Sequence, residues 1–171
     1  MSALTKKALT ISIIAGILVL IDGIIVNLMG LNGSFVWVSF ISWTVFFGVP
    51  LIERIKAIPG YIIGFLLAIL IINFGSFLND LFSIKILGVA LSSILATAIV
   101  NFFCMYFEKL KKIYLDSISG IFVGIALTFS GLGIGLTTNT LDNSIMMLSI
   151  ILIYGILGLL SGYITMKVTS K

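Results

Sequence analysis

Hydrophobic positions fall in six long runs, at about 8–29, 34–51, 60–78, 86–107, 118–136 and 144–166. Polar positions collect in the short connections between them. Each run is near the ~20 residues that a helix needs to cross the hydrocarbon core of a bilayer. Transmembrane strands would be shorter and would alternate apolar with polar residues. The pattern predicts an all-α integral membrane protein, a single transmembrane domain over 1–171 built as a bundle of about six helices. The second run is the weakest; it is short, stops at Pro50, and is the candidate for a tilted or broken helix.

The connections carry the charge, and they alternate. Lys6 and Lys7 precede the first run, Arg54 and Lys56 follow the second, Lys109, Lys111 and Lys112 follow the fourth, and Lys167 and Lys171 follow the sixth. Nine of the ten basic residues therefore fall on one side, with Lys85 alone on the other. The positive-inside rule makes that side, and both termini, cytoplasmic. Two lysines before an apolar run also resemble a signal peptide. Asp22 interrupts the run, no A-x-A site follows and five more runs come after, so the expectation is helix 1. Asn32-Gly33-Ser34 matches a glycosylation sequon but lies hard against the membrane and receives no weight.

Composition narrows the function. Hydrophobic residues make up 60% of the chain and charged ones 9%, against ~25% charged in soluble domains. Lipid is the expected solvent, and the net charge of +4 is a topology signal with no nucleic acid implied. Histidine is absent and Cys104 is the single cysteine. That removes structural zinc, an internal disulfide and a Cys/His pair. Cys104 reads as a small buried hydrophobe. No cofactor motif is present: SGLGIG at 130–135 is followed by Leu136 where a dinucleotide fingerprint needs its third glycine.

Three stretches then read together. FVWVSFISWTVFFGVP at 35–50 carries Trp37, Phe40, Thr44, Phe47 and Pro50. SGIFVGIALTFSG at 119–131 carries Gly120, Phe122, Gly124, Thr128, Phe129 and Gly131, and GLLSGYITMK at 158–167 ends the last run. Their order and spacing over roughly 10–167 resemble the YcdZ-like family of small bacterial inner-membrane proteins, a domain of unknown function. The resemblance implies a multi-helix inner-membrane protein with no established substrate or catalytic residue. Asp22 is not part of that pattern.

Small residues recur at helical spacing: Gly60, Gly64 and Ala68; Gly88, Ser92 and Ala96; Gly120, Gly124 and Thr128; Gly158 and Gly162. Such stripes let helix backbones approach, within a subunit or between subunits. They support a homo-oligomer, a dimer or trimer. A backbone-lined path or hinge is the alternative, with Ser130–Gly135 its best place. Trp37, Tyr61, Tyr106 and Tyr163 lie near run ends and read as interface anchors; Trp43 is deeper and reads as packing. Glu53, Arg54 and Lys56 read as a solvated loop.

Depth is estimated at 1.5 Å per residue. Asp22 falls about 5 Å outward of the midpoint of helix 1, and Asn73 at nearly the same depth in helix 3. Ser39 and Ser42 lie in the outer half of helix 2 or near its centre. Thr128, Ser130 and Tyr154 lie close to the midplane. Ser93, Thr97 and Asn101 form a polar line on helix 4. These groups are expected to converge on one polar site, although hydrogen bonding between helices explains every one except Asp22 as well. A carboxylate in the central part of a span costs ~3 kcal/mol, and such residues mark ion or substrate pathways. No lysine or arginine of the chain is expected at that depth. Asp22 is then protonated at rest, faces water or a cation, or meets a partner from another subunit.

The first reading is a small channel or secondary transporter for a small polar solute, neutral or cationic. Two inverted three-helix halves fit the count of six. The alternative is a non-transporting membrane subunit that binds a partner protein. An intramembrane enzyme is not expected, because one lone aspartate makes no catalytic dyad.

Overall fold

The computed structural model describes residues 3–31, 33–109 and 116–169. The described residues are almost entirely helical. Helix α1 runs Ala3–Met29, α2 Val36–Val45, α3 Leu51–Leu81, α4 Leu91–Cys104, α5 Ile118–Gly133 and α6 Leu141–Thr169. Strands β1 (Lys85–Ile86) and β2 (Val89–Ala90) form a small antiparallel hairpin before α4. A 3-10 turn, Met105–Lys109, follows α4. Three helices are long and apolar enough to cross a membrane: Thr5–Met29 in α1, Leu51–Leu81 in α3 and Leu141–Val168 in α6. The other three are shorter. Asn32 of the sequon, Lys111, Lys112 and Lys171 lie outside the described residues.

The boundaries differ from the sequence expectation in two informative places. The run 34–51 holds a helix of only 10 residues. It stops five residues short of Pro50, whose ring pushes Val49 away from helical backbone. A turn then carries the chain into α3, where the Pro50 carbonyl accepts from the Glu53 and Arg54 N–H groups. Helix α3 thus starts at Leu51 rather than Gly60, and it continues through Pro59. The expected solvated loop Glu53–Lys56 is therefore the first turns of a helix. Tyr61, expected as an interface anchor, is fully buried in that helix. The run 86–107 likewise loses its first residues to the hairpin.

The glycine-rich end of α5 has a local explanation. Gly135 adopts φ +95° and donates to the Leu132 carbonyl, while the next N–H, of Leu136, reaches back to Gly131. This is the Schellman closure that glycine makes accessible. The segment proposed as a path or hinge is a helix cap, and Leu136 tucks into the core behind it.

The centre of the bundle is where α2, α3, α5 and α6 meet. Phe35, Phe46, Tyr61, Phe65, Leu127, Met147, Ile150 and Tyr154 are buried there. α3 and α5 approach backbone to backbone through the Gly60/Gly64 and Gly120/Gly124 stripes. α4 closes the other flank of α3 through Ala68, Ile71, Ala96, Val100 and Cys104, so the cysteine is the buried apolar residue expected. Trp43 packs against α1 residues and stacks on Phe40. α1 touches the bundle along one edge and leaves Leu20 and Leu28 largely exposed.

The basic residues gather at one end. Lys7 lies over the Phe47 ring at 5.2 Å. Lys56 pairs with Glu53 at 3.1 Å and with Asp116 at 3.8 Å. Lys109 and Lys167 sit above the rings of Tyr106 and Tyr163. Lys85 is on the hairpin beyond the other end of α3.

Candidate functional site

Helix α2 begins without a cap of its own. Its N-cap residue is Phe35, which has no side-chain acceptor. The first N–H groups of any helix lack intrahelical partners, and here Asp22 of α1 supplies one. Its Oδ1 accepts from the Phe35 N–H at 3.0 Å and from the Tyr154 hydroxyl of α6 at 2.6 Å. Its Oδ2 accepts from the Ser34 hydroxyl at 2.6 Å. All three neighbours donate, which suits a carboxylate, an acceptor only. The partial positive charge at the start of α2 adds to this, worth up to ~2 kcal/mol in a partly buried setting. Asp22 is 4% exposed. Within its own chain the carboxylate finds a helix start, a tyrosine and a serine, and no basic side chain among the described residues.

Ser34 is exposed, so the carboxylate lies one hydroxyl behind the surface. Met29, the end of α1, is seven residues beyond Asp22, about 10 Å further along the axis. Residues 33–35, non-helical, therefore lie back at the level of Asp22 before α2 starts.

Below Asp22 the polar groups continue along the seam of α2 and α6. Ser39 donates to the Tyr154 carbonyl at 2.8 Å and Ser42 to the Gly155 carbonyl at 2.8 Å. Ser42 also shares a 2.5 Å hydrogen bond with the Tyr61 hydroxyl of α3. Ser39, Ser42 and Tyr61 are completely buried. Gly155 and Gly158 make this possible: a Cβ at Gly155 would meet the Tyr61 ring at 2.6 Å, and one at Gly158 would meet Ser42 at 2.7 Å.

Of the residues expected to converge, Asp22, Tyr154, Ser39 and Ser42 form this one string. The others do not join it. Thr128 is buried and turns its hydroxyl to the Gly124 carbonyl of its own helix. Asn73, Ser93, Thr97 and Ser130 are exposed on outer faces. Asn101 donates to the Thr97 carbonyl, and its Oδ1 is buried without a partner. Ser93 and Thr97 instead line an outer groove with Ser76, Asn79 and Phe129. Ser34, Phe35 and Tyr61 were not anticipated. Ser34 carried one usable signal: a hydroxyl residue directly ahead of an apolar run, where helix starts collect acceptors and donors. A single carboxylate facing three donors presents no metal site, and among the described residues no group of three or more His, Cys, Asp or Glu side chains converges.

No curated protein and no solved structure matches this chain. A family model does: residues 8–169 match the one described as a protein of unknown function, DUF1097. The match covers nearly the whole bundle, including both Asp22 and Tyr154, and the chain belongs to that uncharacterised family.

Proposed function

We propose that the protein is a small bacterial inner-membrane channel or secondary transporter for a small polar solute, neutral or cationic. Both termini face the cytoplasm, as the gathering of basic residues at one end supports. The observation that carries the reading is the Asp22 cluster: a buried carboxylate at the start of a half-length helix, reached through non-helical backbone. At membrane depth such backbone is tolerated where protein buries it or where it borders water. Broken helices whose ends meet charged groups are the way transporters build midplane sites. In this arrangement the solute approaches past Ser34, exchanges hydrogen bonds with Asp22 and Tyr154, and moves along the hydroxyls of Ser39, Ser42 and Tyr61. In this reading α2 shifts against α6 to let the solute pass.

Liposome flux tests this directly. Vesicles holding the purified protein are expected to admit one class among small amides, ammonium-like cations and alkali ions, well above empty vesicles. Background flux for every solute, with the protein folded and correctly inserted, overturns the reading.

A specific observation favours a second reading, a membrane subunit that assembles with itself or a partner protein. Ser93, Thr97, Ser76 and Asn79 point outward from α3 and α4, where lipid satisfies no hydrogen bond. Assembly as a dimer or trimer would cover them. Light scattering in mild detergent, corrected for detergent mass, is expected to give that mass. A monomer under every gentle condition removes the oligomer.

A further inference from the structure

Arg54 is 2% exposed, one of the most buried polar side chains of the molecule. Its Nε donates to the Val49 carbonyl at 2.8 Å and its Nη1 to the Leu159 carbonyl of α6 at 3.0 Å. Its Nη2 reaches the Met166 sulfur at 2.9 Å, a weak acceptor. A guanidinium carries five N–H groups, so two of them find no acceptor among the described residues. No carboxylate pairs with it there either: the ion pairs of Glu53 and Asp116 both go to Lys56. Space for Arg54 has been cleared by Gly162, where a Cβ would meet its Nη1 at 2.6 Å. Among the described residues this buried cation is held by carbonyl dipoles and a thioether, without the anion that normally offsets its desolvation.

Arg54 also lines an open groove between α3 and α6. The groove holds about 240 Å³ and is walled by Leu51, Ile55, Ile58, Ile156, Leu160 and Tyr163. Its walls are apolar except at Arg54 and the Tyr163 hydroxyl. Lys167 lies 5.9 Å from the ring of Tyr163, one of the wall residues. An apolar trough with a cation in its wall matches an amphiphile with an anionic head. Guanidinium and phosphate meet through paired, charge-assisted hydrogen bonds, and basic pockets between helices at a membrane face take up anionic lipid headgroups.

We propose that Arg54 and this groove bind an anionic phospholipid, with its phosphate on the guanidinium and one acyl chain along Ile55, Ile58 and Ile156. The site requires that this end of the bundle meets a bilayer. It does not depend on solute permeation, and flux measured on the same variants reconstituted in vesicles keeps the two apart.

The test uses the full chain, delipidated in a neutral detergent, with thermal unfolding followed against added ligand. Phosphatidylglycerol is expected to raise the unfolding midpoint at a concentration about tenfold lower than phosphatidylcholine, the scale of one charge-assisted contact. Inorganic phosphate is expected to do nothing in that range. Ile55→Trp fills the groove from an exposed position and leaves Arg54 in place; it should abolish the preference while keeping the ligand-free midpoint. Arg54→Gln should abolish it as well. Equal response to the two lipids, full stabilisation by phosphate alone, or an undiminished preference in the Ile55→Trp protein each overturns the proposal.

Discussion

Replacing Asp22 with alanine is expected to destabilise the protein by ~3 kcal/mol or more, read as a lower unfolding midpoint in a fixed detergent. The change leaves the Tyr154 hydroxyl and the Phe35 N–H buried with no acceptor, and an unsatisfied buried group costs ~1–3 kcal/mol. Asp22→Asn behaves differently. The amide oxygen can keep both bonds now made by Oδ1, and the Ser34 hydroxyl can turn round and accept from the new NH₂. Its stability is expected to fall by ~1 kcal/mol, mostly the lost charge at the start of α2. The two variants therefore separate the anchor from the charge. If Asp22 only pins α2 to α1 and α6, the Asn protein carries whatever flux the native protein has. If Asp22 selects the solute, the Asn protein is folded and its flux falls at least about tenfold, with cations affected most; one charge-assisted contact is worth that factor. A double cycle with Tyr154→Phe closes the argument. The Asp22→Ala and Tyr154→Phe costs should be non-additive, because both remove the same bond. Additive costs would place Tyr154 outside the cluster.

The same cluster shows which part of the site was legible in the chain. Asp22 was conspicuous because a carboxylate inside an aliphatic run demands a reason. Depth arithmetic then put Asp22, Ser39, Ser42 and Tyr154 at compatible heights, and the structure joins them although Asp22 and Tyr154 are 132 residues apart. The same arithmetic put Asn73 and Ser130 at similar heights, and these face outward. Height follows from residue count. The direction a side chain takes around its helix does not, because helices apolar on every side carry no periodic signal that marks an inner face. Asn73 and Asp22 share a level and little else.

The helix boundaries failed for a related reason. Where polar residues punctuate the ends, as around α1 and α6, the runs and the helices agree within a few residues. Between Ser34 and Ile52 the apolar pattern continues across a change from loop to helix, to turn, and to helix again. Hydrophobicity alone cannot register that change. A proline normally ends or kinks a helix, yet α3 passes through Pro59. Moving the start of α3 to Leu51 is what converts Arg54 from a solvated charge into a buried one and Tyr61 from an anchor into the partner of Ser42. One misplaced boundary thus concealed both the lower part of the polar string and the cation lining the α3–α6 groove.

The largest loss of stability is expected from Gly64→Leu. The α3–α5 seam is closed by four glycines, and what a new side chain would meet decides the outcome at each. A Cβ on Gly64 would lie 2.7 Å from the Gly124 Cα and the Ile125 nitrogen, and closer still to the Ile121 carbonyl oxygen. Every obstacle is backbone, so no rotamer change relieves it and the two helices must part. Overpacking in a core costs ~1–3 kcal/mol where side chains can yield; here the cost should exceed that range, and the protein is expected to lose most of its folded yield. Gly131→Ala is the informative contrast. Its Cβ would meet the Met147 methyl at 2.7 Å, the free end of a flexible side chain, so a loss of ~1 kcal/mol or less is expected. Gly16→Ala on α1 meets nothing within 4 Å and should be neutral or stabilising by up to ~1 kcal/mol, the gain in helix propensity. Unfolding midpoints and yields for the three variants, compared in one detergent, test the order. A Gly64→Leu protein as stable as the Gly16→Ala protein would mean that α3 and α5 do not meet through these glycines, and the central packing of the bundle would have to be redrawn.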